Sequence, residues 1–131
     1  EVHLGIKVSG RAGVLHECDV AVIEQKEAHT CRQQCVAPRS NKVPIAIECK
    51  FYASLLTLNL ARSFIGLATD LNSRDTFFVS NSSSKNLEKL LSHHLRTQRK
   101  WEHDVYPKQT IDEGRFLGKL TTSFQVYKAR S

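Results

Sequence analysis

A chain of 131 residues, 40% of them hydrophobic, is long enough for one globular domain with a real core and too short for two comfortable ones. Lys and Arg number 19 against 13 Asp and Glu, a net charge of +6 with a pI near 9.3, which tilts toward an anionic partner without demanding one. No apolar run approaches a membrane span and no basic-then-apolar leader opens the chain, so the sequence reads as soluble and cytoplasmic, with no membrane partner. The chain starts at Glu1 and holds no Met, so an initiator residue and some N-terminal sequence are expected to precede it.

Val2, Leu4, Ile6 and Val8 alternate with His3, Gly5, Lys7 and Ser9, the period of a half-buried strand. Gly10 and Gly13 make Ser9 to Gly13 a turn, and Val14 to Ile23 a second strand, antiparallel to the first. On it Glu17 and Asp19 share a face with Leu15, Ala21 and Ile23, an acidic pair on an otherwise apolar face. Glu24 to Lys42 is polar and reads as a surface insertion with room for a short helix. Its Lys26, Arg39 and Lys42 are candidates for contact with nucleic-acid phosphates, as is Arg62 further along, although solvated cations would look the same.

Ile45 to Tyr52 is an apolar, β-branched and aromatic run, a buried strand interrupted by Glu48 and Lys50. Side chains alternate across a strand, so these two charges emerge side by side while Ile47 and Cys49 point the other way. Burying charge without a partner is strongly unfavourable, so a Glu-x-Lys pair here is either a mutual ion pair or a site for something else, such as a metal ion. Ser54 or Thr57 then offers an N-cap to a helix ending near Leu71, whose Leu60, Phe64, Leu67 and Leu71 form an apolar stripe opposite Asn59, Arg62, Ser63 and Gly66.

Thr76 to Ser80 is a short strand, and Asn81 to Ser84 supply the turn before a helix carrying Leu87, Leu90, Leu91 and Leu95. Strand, helix, strand, helix in that order implies a crossover and a mixed sheet flanked by helices, an α/β domain. Basic residues cluster at the end of this helix, where the helix dipole alone accounts for them. Val105-Tyr106 fits an edge strand. Thr110 to Glu113 has capping-box spacing before an amphipathic helix through Leu117, Leu120, Phe124 and Tyr127. Of four cysteines, Cys18 and Cys49 read as small core hydrophobes; Cys31 and Cys35, with His29 nearby, lack the second ligand pair that a zinc site requires.

A hairpin strand bearing Asp19, then a strand bearing Glu48 and Lys50, then helix, strand and helix, resembles the PD-(D/E)xK, or restriction-endonuclease-like, nuclease superfamily. Leu15 to Ile23 and Ile47 to Tyr52 look most like its Mrr-type branch, and Thr76 to Ser84 is similar to the strand and Ser/Thr-rich turn found there. The resemblance covers about positions 2 to 100. It implies a Mg²⁺-dependent (or Mn²⁺-dependent) endonuclease acting on DNA, of restriction or defence type, with a homodimer as a further possibility. Asp19 and Glu48 would bind the metal and Lys50 would orient or activate water. No Pro precedes Asp19, and the helix that normally precedes the first strand, often donating another acid, is absent or lies before Glu1.

The chemistry asks for the same residue types without the family. Cleaving a phosphodiester requires neutralising charge on the phosphoryl oxygens and making a nucleophile from water, which a hard cation held by a few carboxylates can do. Asp19 and Glu48 suit that role, with the Cys49 backbone carbonyl as a further ligand, and Lys50 suits the attacking water or the transition-state charge. Two other expectations compete. One is a nucleic-acid-binding or assembly module of the same fold without turnover. The other is a plain structural arrangement in which Glu48 pairs with Lys50 and Asp19 caps a turn.

Overall fold

Alternating apolar residues and two glycine turns produce the first unit of the fold, a hairpin of β1 (Val2–Ser9) and β2 (Leu15–Val22). Gly10 N–H donates to the Val14 carbonyl at 2.8 Å, and Gly13 takes φ +78°, a region that favours glycine. The computed structural model describes residues 1–52, 56–98 and 101–105, with side chains up to residue 94. Within it a mixed sheet runs β1-β2-β3-β4-β5, with β3 (Ile45–Lys50), β4 (Asp75–Ser80) and β5 (Trp101–Val105). β2 and β3 are antiparallel, while β3, β4 and β5 are mutually parallel through helical crossovers. The result is the single-domain α/β architecture with a mixed sheet that the element order predicted.

The Glu24–Lys42 segment is more than a surface insertion. Gln25–Gln34 forms a three-turn helix, α1, burying Glu27 and Ala28 and ending where Cys35 adopts a left-handed conformation. Glu27 grips Arg39 in a two-pronged ion pair, 3.0 and 2.9 Å, and also accepts the Arg39 backbone N–H, pinning the returning chain ahead of a 3-10 turn at Ser40–Lys42.

α2 (Leu58–Leu71) buries Ala61, Phe64, Ala68 and Leu71 at helical spacing and leaves Asn59, Arg62, Ser63 and Gly66 exposed, as expected. Thr57 holds the N-cap position without a side-chain cap bond; Ser54 lies outside the described residues. Phe64 stacks on Phe78 of β4 with ring centroids 4.8 Å apart, joining α2 and α3 (Lys85–Gln98) to the sheet through Leu87 and Leu91. Ser84 caps α3 by accepting the Leu87 N–H at 3.2 Å. On the opposite face Val22, Ile45, Ile47 and Phe77 pack together.

Four expectations are corrected. The buried run ends at Lys50: Phe51 and Tyr52 are 52% and 44% exposed, and Asn81 takes over the Tyr52 backbone, accepting its N–H and donating to its carbonyl. Cys49 is exposed rather than a core hydrophobe; Cys18 is buried as expected. The last described strand is Trp101–Val105, beginning earlier than Val105-Tyr106; Tyr106 and the capping-box helix lie outside the described residues. Leu15 and Glu17 do not share a buried face with Ala21 and Ile23, since Leu15 and Glu17 are exposed. Cys18 and Ala21, three apart, pack in one cluster, an odd offset that a regular strand would send to opposite faces, so β2 turns its faces between Cys18 and Val20. Gly5, between the Leu4–Val20 and Ile6–Cys18 pairs of the hairpin, has φ +57° at this point.

Candidate active site

Asp19 and Glu48 meet where the β2–β3 ladder stops. The last ladder pair is Val20 with Ile47. One residue further, the Asp19 carboxylate replaces a backbone acceptor and takes the Cys49 N–H at 2.7 Å. A strand residue sends its N–H and carbonyl toward the same neighbour, so the Cys49 carbonyl also leaves β3 on the β2 side. The local turn of β2 at Asp19 is what frees this end of the ladder from ordinary pairing.

Glu48 and Lys50 lie on the same face of β3 as Ala46, whose side chain packs with Leu71 of α2. In the parallel register Glu48 stands beside Phe78 and Lys50 beside Ser80, at the C-terminal ends of two parallel strands, where open α/β sheets place their ligand crevices. The Lys50 ammonium donates to Glu48 Oε1, forming an ion pair in which Glu48 is only 14% exposed. The second oxygen, Oε2, is buried without a hydrogen-bond partner among the described residues.

The electrostatics follow from that geometry. Burial pushes the Glu48 carboxyl above its ordinary value, against the opposing hydrogen bond and charge of Lys50, and the negative charges of Asp19 and Glu17 add to the rise. Burial alone would lower the Lys50 ammonium, but the hydrogen bond and charge of Glu48, with Asp19 and Tyr52 behind it, hold it above its usual value. The Cys18 thiol is pushed up to about 12 by burial and then by Glu48 and Asp19, which leaves it a neutral core group.

The structure therefore brings Asp19, Glu48, Lys50 and the Cys49 backbone to one end of β3. It contains both features of the plain structural alternative, a Glu48–Lys50 ion pair and an Asp19 carboxylate on a backbone N–H. What that alternative leaves unexplained is the orphaned, buried Glu48 oxygen and a second acid placed to raise its energy. An extra positive charge answers both, so the donor set fits a hard divalent cation. Among the described residues no group of three or more His, Cys, Asp or Glu converges as a ready-made metal cage, and Cys31 and Cys35 are free thiols.

The four expected phosphate contacts differ in how far their charge is already paired. Arg39 is held by Glu27, and Lys42 lies 3.4 Å from Glu24, so the insertion neutralises much of its own charge. Lys26 is exposed on α1, and Arg62, exposed on α2, donates to Asn59 at 3.2 Å. Sequence reasoning missed Asn81, whose clamp on Tyr52 closes the end of the Glu48–Lys50 strand; the only signal was an Asn in a turn. No described helix is long and apolar enough to cross a membrane. Comparison with models of known protein families, with curated proteins and with solved structures finds no match to this chain.

Proposed function

We propose that the chain is a metal-dependent nuclease of restriction-endonuclease-like type, hydrolysing phosphodiester bonds in DNA with Mg²⁺ or Mn²⁺. The observation that carries the proposal is the buried, unpartnered oxygen of Glu48 beside Asp19 and Lys50 at the end of the β2–β3 ladder. Asp19, Glu48 and the Cys49 carbonyl would hold the cation. When bound, it supplies charge neutralisation at the phosphoryl oxygens and a lowered pKa for water.

The remaining work belongs to the chain. Asp19 lies near enough for its charge to raise the Glu48 carboxyl, and the parallel β3–β4 pair holds Glu48 in place. Lys50 is a protonated donor two residues along the same face, positioned to steady negative charge that grows on the phosphate as the P–O bond breaks. A duplex has two strands to cut, and two copies of the chain related by a two-fold axis would present one such site to each.

A binding module without turnover is favoured by one observation, that Lys50 is already spent on Glu48. Incubation with supercoiled plasmid DNA separates the two. The nuclease yields nicked and linear products with Mg²⁺ or Mn²⁺ and none with chelator, and Lys50→Ala lowers the rate by about 10²-fold or more, as for removal of a transition-state donor. Intact plasmid under every metal condition, with retained DNA binding, would establish the binding module instead.

A further inference from the structure

Cations in this molecule fall into two groups. Arg32, Arg39, Lys42, Lys50 and Arg74 each lie within ion-pair distance of a carboxylate. Lys85 and Lys89 on α3 belong with those that do not, among the described residues, and both are exposed on the face opposite the buried Leu87 and Leu91. Their positions also run against helix stability. Lys85 is the first residue of α3, where the helix dipole disfavours a cation, and Lys89 follows one turn later, where a like charge repels it. Glu88, three residues after Lys85 and in the same first turn, offsets part of these penalties, and the two lysines remain an exposed pair of like charges on one face.

That face starts beside the candidate active site. Lys50 is in register with Ser80, the last residue of β4, and the Asn81 N–H approaches the Lys50 carbonyl at 3.4 Å. Asn81 also clamps Tyr52, so the short turn from Ser80 to Lys85 is anchored to the strand that carries Glu48 and Lys50. From Lys85 the helix carries Lys89, and then Ser92 and His93, away from that edge at ~1.5 Å per residue. A shallow cavity of about 510 Å³ on this face is lined by Lys85, Glu88, Lys89, Ser92 and His93.

We propose that the exposed face of α3, through Lys85 and Lys89, is the surface along which duplex DNA lies when its scissile phosphate is at Glu48 and Lys50. The assignment rests on the nuclease reading and names where the substrate's flanking phosphates are held. It moves the contact surface from the insertion, where Arg39 and Lys42 are tied to Glu27 and Glu24, to the helix that begins at the edge of the site. These side chains touch phosphate oxygens only, so they position the duplex without selecting its sequence.

The test uses the full chain and a short labelled DNA duplex, without divalent cation, titrated by fluorescence anisotropy between about 50 and 200 mM salt. Lys85→Gln with Lys89→Gln weakens binding about tenfold and lowers the slope of log affinity against log salt by roughly 2, near 0.9 for each phosphate no longer neutralised. Lys7→Gln with Arg11→Gln makes the same change of charge on the hairpin and leaves both quantities as they were. Gln and Lys have nearly equal helix propensity, so thermal melts of the α3 variant match the parent within about a degree or two. Unchanged affinity and slope in the α3 variant overturn this assignment alone, as does an equal loss in the hairpin variant. An unaltered chain that binds no duplex at low salt and cleaves no plasmid overturns the nuclease reading and the assignment with it.

Discussion

Glu48 carries a conflict that no neighbouring side chain resolves. Its folded value lies above the ordinary 4.5, so its share of stability is full below 4.5 and is lost as pH rises through the raised folded value. In cation-free buffer, Glu48→Gln should therefore gain stability relative to the parent as pH climbs from acid to neutral, which paired thermal melts across that range check. Mg²⁺ should reverse the order: the parent gains about 2.7 kcal/mol at a hundredfold excess over Kd, and Glu48→Gln and Asp19→Ala gain little. Lys50→Ala tests the same residue from the other side. Without cation it leaves a mostly buried carboxylate unpaired and should lower stability by up to about 3–5 kcal/mol, and saturating Mg²⁺ should restore part of that loss. A Lys50→Ala protein destabilised equally with and without cation, from a parent that binds none in calorimetric titration, would leave only a structural ion pair. The Glu-x-Lys spacing alone put both groups on one face; the orphaned oxygen was not legible, because it depends on what the fold packs around Glu48.

Elements with a strong period are legible in the sequence, although the period does not settle which face of β2 is buried. The hairpin and α2 show clear twofold and 3.6-fold repeats. α1 is legible only as room for a short helix in the insertion, because its Gln, Lys, Glu, Ala and Arg are helix-forming but carry no apolar stripe that would set its bounds; it is held by Glu27, an acid at a buried position. The Arg39 hydrogen bond, outweighing burial, lowers Glu27 to about 2, so its stabilisation is present above 4.5 and lost as pH falls toward 2. Glu27→Gln should cost about 1–2 kcal/mol at neutral pH, discounted because the Arg39 end is in water, and the deficit should shrink in acid; urea melts at the two pH values measure it. The hairpin tip has a comparable anchor. Asp70 of α2 meets His16 at 2.5 Å and the Ala12 N–H at 2.8 Å, and a Cβ on Gly10 would sit 1.9 Å from an Asp70 oxygen. Gly10→Ala should push that carboxylate out of both bonds and lower stability by about 1–3 kcal/mol, an effect that Asp70→Ala, which removes the clashing group, would largely pre-empt in a double-mutant cycle.

At the scale of the whole molecule, the strand and helix order was enough to specify a mixed sheet, because parallel strands need a helical crossover and the sequence supplied them. Charge was less legible. Lys42 and Arg39 stood as candidate phosphate contacts, but Glu24 and Glu27 pair with them across 18 and 12 positions of chain, pairings that only the fold brings together. The sheet's connectivity also bears on how the protein is made. Strand order across the sheet is the same as strand order along the chain, so every new strand docks against the one synthesised just before it. Asp19 and Glu48 are consequently apposed as soon as the third strand docks, ahead of the α2 and β4 segments that later pack beside Glu48. A nascent chain at that stage holds two acids side by side in open water, where their repulsion is weak, and the conflict tightens only as later segments exclude solvent.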